Sequence, residues 1–212
     1  MTMELAEWVD RIFGQASPSD YEALVRRAAI CGPDEATLRR LIEVFENPAT
    51  ALKPYSDAVL NQALWDLSSE AFPAVRDLAV AWALRNRFIR SVETLFREFF
   101  AARCAPTLGH LSEGCTALNS TCYMWWDFDC WQAAPGPLTR DPCASAMLAC
   151  MRSILAIDHI ACKESALHGL GHWHPAQGSA VESIIDEFLK NERGLPEPLR
   201  EYAINARRGY VL

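Results

Sequence analysis

The chain has no apolar run approaching the ~18 residues that a bilayer crossing requires, so no membrane partner is expected. It also lacks an excess of positive charge. Twenty Lys and Arg stand against 27 Asp and Glu, a formal net charge of -7. Proteins that wrap nucleic acid carry a basic face, so this balance argues against that partner. No two of the eight cysteines stand two or three residues apart, which removes the tight chelating hairpins of structural zinc sites. There is no HExxH metalloprotease pattern, no GxSxG elbow, no Gly-rich phosphate loop and no visible pairing of a cysteine with a histidine. The opening "MTMELAEWVDRIFG" lacks the basic start and apolar centre of a signal peptide. The expectation is a cytoplasmic protein with its cysteines reduced, most of them acting as small buried hydrophobes.

What is present is helical period. Half of the 212 residues are hydrophobic and 22% are charged, a globular composition long enough for one sizeable domain. Leu5, Trp8, Val9, Ile12 and Phe13 follow a one-sided helical pattern that Gly14 stops. Ser19 and Glu22 form a candidate capping box. Helices are expected around Leu38–Phe45 and Val59–Leu67. Pro73 is expected to open a long helical stretch to about Ala102, with a break near Asn86. Asp141-Pro142 reads as an N-cap followed by a first-turn proline. A helix from about His159 to His172 follows. Ser179 and Glu182 then suggest another capping box before the stripe Val181, Ile184, Ile185, Phe188 and Leu189. No segment alternates as a strand does.

Residues 104–140 break this regularity. The run "CYMWWDFDCW" gathers Trp125, Trp126 and Trp131 around Asp127 and Asp129, and a turn-rich "APGPL" follows. Clustered tryptophans are expected as core or interface filler, and the aspartates as caps for turn amides. A ligand pocket is the other reading.

The stretch "ESALHGLGHWHP", residues 164–175, holds three of the five histidines. On a wheel of 100° per residue, Glu164, His168 and His172 fall within about 80° of one another, opposite Ala166, Leu167, Leu170 and Trp173. Gly169 and Gly171 flank this polar stripe, and each costs about 1 kcal/mol against alanine in a helix. Close approach by a backbone or a ligand would justify that cost. Two readings follow. In one, His168, His172 and Glu164 share a zinc or iron ion, because two histidines and a carboxylate are a known ligand set. In the other, the stripe faces solvent or a partner, with histidines suiting the negative end of the helix dipole and no cofactor present.

The segment "ESALHGLGHWHPAQGSAVESIIDEFL" resembles one HEAT-like repeat of the short bacterial type, through Ala166-Leu167, Gly171, Ala180-Val181, Ile184, Ile185 and Leu189. "PAVRDLAVAWAL" looks like the start of another, through Val75-Arg76, Ala79 and Ala83-Leu84. Helix starts at Asp141, Asp158 and Ser179 suggest a pair recurring near forty residues, a solenoid period. The resemblance implies an all-α superhelix of stacked antiparallel helix pairs, one domain over 1–212 with 104–140 inserted. In that family the concave surface mostly binds other proteins. HEAT-like deoxyhypusine hydroxylases hold iron through His-Glu dipeptides, and this chain has none. HEAT-like alkylpurine DNA glycosylases use tryptophans and an aspartate, which Trp125, Trp126 and Asp127 match superficially in an acidic chain.

The expectation from sequence is therefore a non-enzymatic scaffold that binds another protein through a concave surface. Glu164, His168, His172, Trp125, Trp126 and Asp127 would line that surface. The alternative is a metal-dependent enzyme centred on His168, His172 and Glu164.

Overall fold

The computed structural model describes residues 3–14, 25, 27, 29–111, 114–133, 142–192 and 194–211. Among these residues there are helices and no strand. The eight principal helices are α1 (Leu5–Phe13), α2 (Glu35–Glu46), α3 (Asp57–Glu70), α4 (Trp82–Leu95), α5 (Ala117–Tyr123), α6 (Pro142–Leu155), α7 (Ile160–Asn191) and α8 (Glu197–Ala206). The capping box expected at Ser19 and Glu22, the turn at 134–138 and the cap at Asp141 lie outside the described residues. No helix among the described residues is long and apolar enough to cross a membrane.

The regular stripes fold as their spacing predicts. Trp8, Val9, Ile12 and Phe13 of α1 are buried, and Gly14 caps the helix by donating its N–H to Asp10 O. Asp34 caps α2 by accepting the Thr37 N–H at 2.7 Å, after the Gly32-Pro33 break. Leu38, Leu41, Ile42 and Phe45 of that helix are buried.

The stretch after Pro73 departs from expectation. It is a 3-10 turn over Phe72–Val75, then irregular chain, then α4. The Asp77 side chain accepts the Ala79 N–H at 2.8 Å. This local bond offers the backbone an alternative to the helix ladder. Leu78, inside the helical stretch expected from Pro73 onwards, is 84% exposed. Asn86 lies inside α4, so the break expected there does not occur. A π-helical turn, Phe96–Phe100, then carries the chain to Arg103.

The core has α7 as its axis. It packs against α6, α8, α5 and the 3-10 turn Met124–Asp127, while α2 packs on α4, α4 on α6, and α3 on α5. Ala161 through Gly171 is buried without interruption. Beyond His174, Pro175 removes one ladder donor and Gln177 takes a non-helical φ of -137° and ψ of 33°, which kinks the helix. Ser179 and Glu182 therefore lie inside α7 rather than at a helix start. Past the kink, Val181, Ile185 and Phe188 are buried, and Ile184 and Leu189 are partly so.

Candidate metal centre

The aromatic segment places the first site residue. Trp125 packs among Phe45, Phe72, Phe96 and Phe100, with ring centroids 5.3–6.2 Å apart. Trp126 stacks on Phe96 and meets Trp131 edge-on. The Gln132 amide donates to Trp126 O at 2.7 Å. Arg76 donates through Nε to Cys130 O at 2.7 Å and through Nη2 to Gln132 O at 2.5 Å. These contacts fix the 3-10 turn Met124–Asp127, and with it the carboxylate that ends the turn.

The other two residues come from α7. Its i, i+4 spacing brings His168 and His172 edge to face, with ring centroids 4.5 Å apart and planes at 83°. Their Nε2 atoms are 3.0 Å apart. Asp127 Oδ1 lies 2.7 Å from His172 Nε2 and 3.1 Å from His168 Nε2. Three potential ligand atoms thus converge, all lying within 4.8 Å of one another. The side chains are unequally exposed: 1% for His168, 23% for Asp127 and 31% for His172. The cluster is anchored on one side and open on the other.

A second layer holds it. The Tyr202 hydroxyl from α8 is 2.8 Å from His168 Nδ1, and the Tyr123 hydroxyl is 3.1 Å from that of Tyr202. The Tyr123 ring lies 4.4 Å from the His168 ring. Burial, the bond to Tyr123 and nearby carboxylates push the Tyr202 hydroxyl far above its usual range, so it stays protonated. Burial alone would raise the Asp127 carboxyl. Its bonds to His168 and His172 outweigh that effect and hold it well below the usual carboxylate range.

Glu164 does not join this cluster. It is fully buried and accepts from the backbone N–H groups of Gly109 and His110 and from His110 Nδ1. Of the three residues expected to share a metal, His168 and His172 come together, and the carboxylate beside them is Asp127 rather than Glu164. The expected accessible surface is corrected more broadly, because Glu164, His168, Trp125 and Trp126 are all buried and only His172 and Asp127 keep an open side. The two glycines serve internal packing. A Cβ on Gly169 would lie 2.5 Å from Trp126 Cγ, and one on Gly171 would overlap Val211.

Asp127 was visible in the sequence as part of the Trp/Asp run, but nothing linked it to residues 41 positions away. The missed signal in α7 was the count of polar residues, Lys163, Glu164, Ser165 and His168, all buried at one level. The surface hollow between α6 and the far half of α7, lined by Arg152, Ile184, Glu187 and Phe188 among others, includes none of the three cluster residues. Comparison of the chain with protein-family models, curated proteins and solved structures found no match.

Proposed function

We propose that the protein is a metal-dependent enzyme whose centre is one zinc or iron ion held by Asp127, His168 and His172. One observation carries the reading: two imidazole nitrogens and a carboxylate oxygen from two distant segments meet with separations of 2.7–3.1 Å. A tetrahedral ion with bonds of about 2.1 Å spaces its ligands roughly 3.4 Å apart. Outward movement of a few tenths of an ångström satisfies that requirement, and the partly exposed His172 and Asp127 have room for it. Without a cation the three acceptors repel unless protons lie between them. If the His168 Nδ1–H donates to Tyr202, Nε2 carries a bare lone pair aimed at a carboxylate.

Two histidines with one carboxylate are the ligand type of catalytic zinc and non-haem iron sites, which keep positions open for water and substrate. The exposed rim at His172 and Asp127 supplies that opening. An ion there would act as a Lewis acid towards a bound water or substrate oxygen. Tyr202 orients the His168 ring and fixes its tautomer, as outer-layer partners of ligating histidines do. Asp127 supplies the negative charge.

The scaffold reading has weaker support. Four of the six side chains expected to line a concave HEAT-like surface are buried, and α7 is covered by α5 and the turn Met124–Asp127 as well as by its sequence neighbours α6 and α8.

Elemental analysis of protein purified without chelator tests the proposal. The expected result is close to one zinc or iron per chain. Replacing His172 with alanine should weaken binding at least about a hundredfold, on the scale at which a ligand loss exceeds an outer-layer loss. Circular dichroism should stay unchanged, since the residue lies at the rim. A chain that carries no metal and gains no thermal stability from zinc, iron(II), manganese or cobalt would sink the reading.

A further inference from the structure

Away from the Asp/His centre, Cys104, Cys122, Cys162 and His159 gather where α5 meets the start of α7. Cys162 lies in the first turn of α7, three residues after His159, which is its N-cap. The His159 side chain makes no capping bond there. Its Nε2 instead lies 3.2 Å from Cys104 O. A carbonyl oxygen only accepts, so Nε2 carries the hydrogen. In the neutral ring Nδ1 is then a base, and it is buried without an aligned hydrogen bond. The Cys122 sulfur approaches from α5 and lies 3.7 Å from the carbonyl oxygen of Ala161, the residue before Cys162. Cys122 and Cys162 are fully buried and not joined in a disulfide, and the Cys162 sulfur lies 3.8 Å from Phe96 O.

We propose that Cys162, Cys122 and His159 form a thiol site that a small peroxide oxidises to a Cys122–Cys162 disulfide, with Cys162 as the attacking sulfur. The N-terminal turn of a helix favours an anion, and a neighbouring histidine base can take the thiol proton. The charges divide accordingly. Contact with Cys122, and then with His159, outweighs burial and lowers the Cys162 thiol. Burial, helped by contact with Cys104 and Cys162, holds Cys122 well up as a thiol. Contact with Cys162 raises the His159 imidazole. The oxidant must be small because both sulfurs are enclosed, which selects hydrogen peroxide over a bulky disulfide.

The steps balance. The Cys162 thiolate attacks one oxygen of hydrogen peroxide and the O–O bond breaks. The departing hydroxide takes the proton that His159 holds, giving water and a sulfenic acid on Cys162. The Cys122 thiol then attacks that sulfur, and the S–O bond breaks with release of a second water. Two thiols are oxidised by two electrons and one peroxide is reduced. Sulfenic acids condense with a neighbouring thiol in this way.

The test uses the full chain after chelator treatment, so that no metal at the Asp/His centre can generate radicals. About one equivalent of hydrogen peroxide is added, free thiols are alkylated, and peptides are mapped by mass spectrometry. The expected result is the loss of two alkylatable thiols, a mass decrease of about 2 Da and a Cys122–Cys162 cross-linked peptide that dithiothreitol reverses. The partly exposed Cys115 remains alkylatable. Consumption of Cys115 first, or a cross-link lacking Cys162, overturns the proposal without any variant. In the C122S variant the reaction should stop at a dimedone-reactive sulfenic acid on Cys162, and no adduct there removes Cys162 as the attacking sulfur. H159N should slow the wild-type reaction about tenfold through the smaller thiolate fraction, and an unchanged rate removes the proton-carrying role. Zinc that survives chelation and is lost in C162S would also overturn the proposal, since the thiols would then be metal ligands.

Discussion

Tyr202 and His168 come from helices separated by a kink and a loop, yet the tyrosine hydroxyl sits 2.8 Å from the histidine Nδ1. The last helix of the described chain therefore sets the orientation of a ring in the central one. Replacing Tyr202 with phenylalanine keeps the ring that packs near His110 and Tyr123 and removes only the hydroxyl, with its bonds to His168 and Tyr123. Metal affinity should fall about tenfold or more, the usual cost of losing an outer-layer partner. Stability without metal should drop by about 1 kcal/mol, because the bond between the Tyr202 and Tyr123 hydroxyls is lost too. Competition with a chromogenic chelator reads the first effect and denaturant unfolding the second. Unchanged affinity would show that His168 needs no orienting bond.

Glu164 makes the opposite case. It is buried, it lies one turn before His168, and it binds the 109–110 backbone instead of joining the cluster. Glu164→Gln should cost roughly 1–3 kcal/mol, because the amide nitrogen faces N–H groups that need an acceptor. Metal content should not change. If the glutamine variant loses its metal while remaining folded, Glu164 is a ligand after all.

Arg76 acts on the cluster at a distance. Its guanidinium holds Cys130 O and Gln132 O, just beyond the turn that ends in Asp127. Arg76→Ala should destabilise the fold by about 1.5–3 kcal/mol, the scale of hydrogen bonds to a charged group. It should also weaken metal binding, because Asp127 loses the support of its own segment. Titration with zinc under native conditions separates the two effects. A stability loss with unaltered affinity would show that the turn is held by its tryptophans alone.

The helices were legible wherever one face packs and the other meets water, as in α1 and α2. The failure after Pro73 came from a single side-chain acceptor, Asp77, which turns the backbone where the apolar pattern continues. Helical-wheel reasoning failed at the histidine stretch for another reason. It assigns a polar stripe to solvent, but α7 is enclosed from Ala161 to Gly171 and its polar groups find partners inside. Ser165 donates to Cys122 O, Lys163 pairs with Glu192 at 3.2 Å, and His168 meets Tyr202 and Asp127. The spacing of His168 and His172 was readable. Their carboxylate was not, because a contact between an irregular turn and a helix 41 residues later leaves no period in the chain. His159 and Cys162 stand three residues apart in the sequence, but nothing there marks them as a pair, and the second thiol comes only from α5.

The two glycines of the histidine stretch permit a paired test of internal close packing. Alanine at either position gains about 1 kcal/mol of helix propensity. At Gly169 the new methyl would lie 2.5 Å from Trp126 Cγ and 2.8 Å from Met151 Sδ. Trp126 cannot retreat, because Phe96 stacks on it and Trp131 meets it edge-on. Overpacking of this kind costs typically 1–3 kcal/mol. Gly169→Ala should therefore be destabilising overall, and it should weaken metal binding as well, since Trp126 immediately precedes Asp127. At Gly171 the obstacle is Val211, a partly buried side chain that follows α8 and packs on the edge of the core. That residue can shift, so Gly171→Ala should fall within about 1 kcal/mol of wild type. Parallel urea titrations of the two variants measure the difference. Equal losses would mean that the chain end is as firmly held as the tryptophan core, and a gain at Gly169 would show that the close approach of Trp126 to α7 is not what keeps that position a glycine.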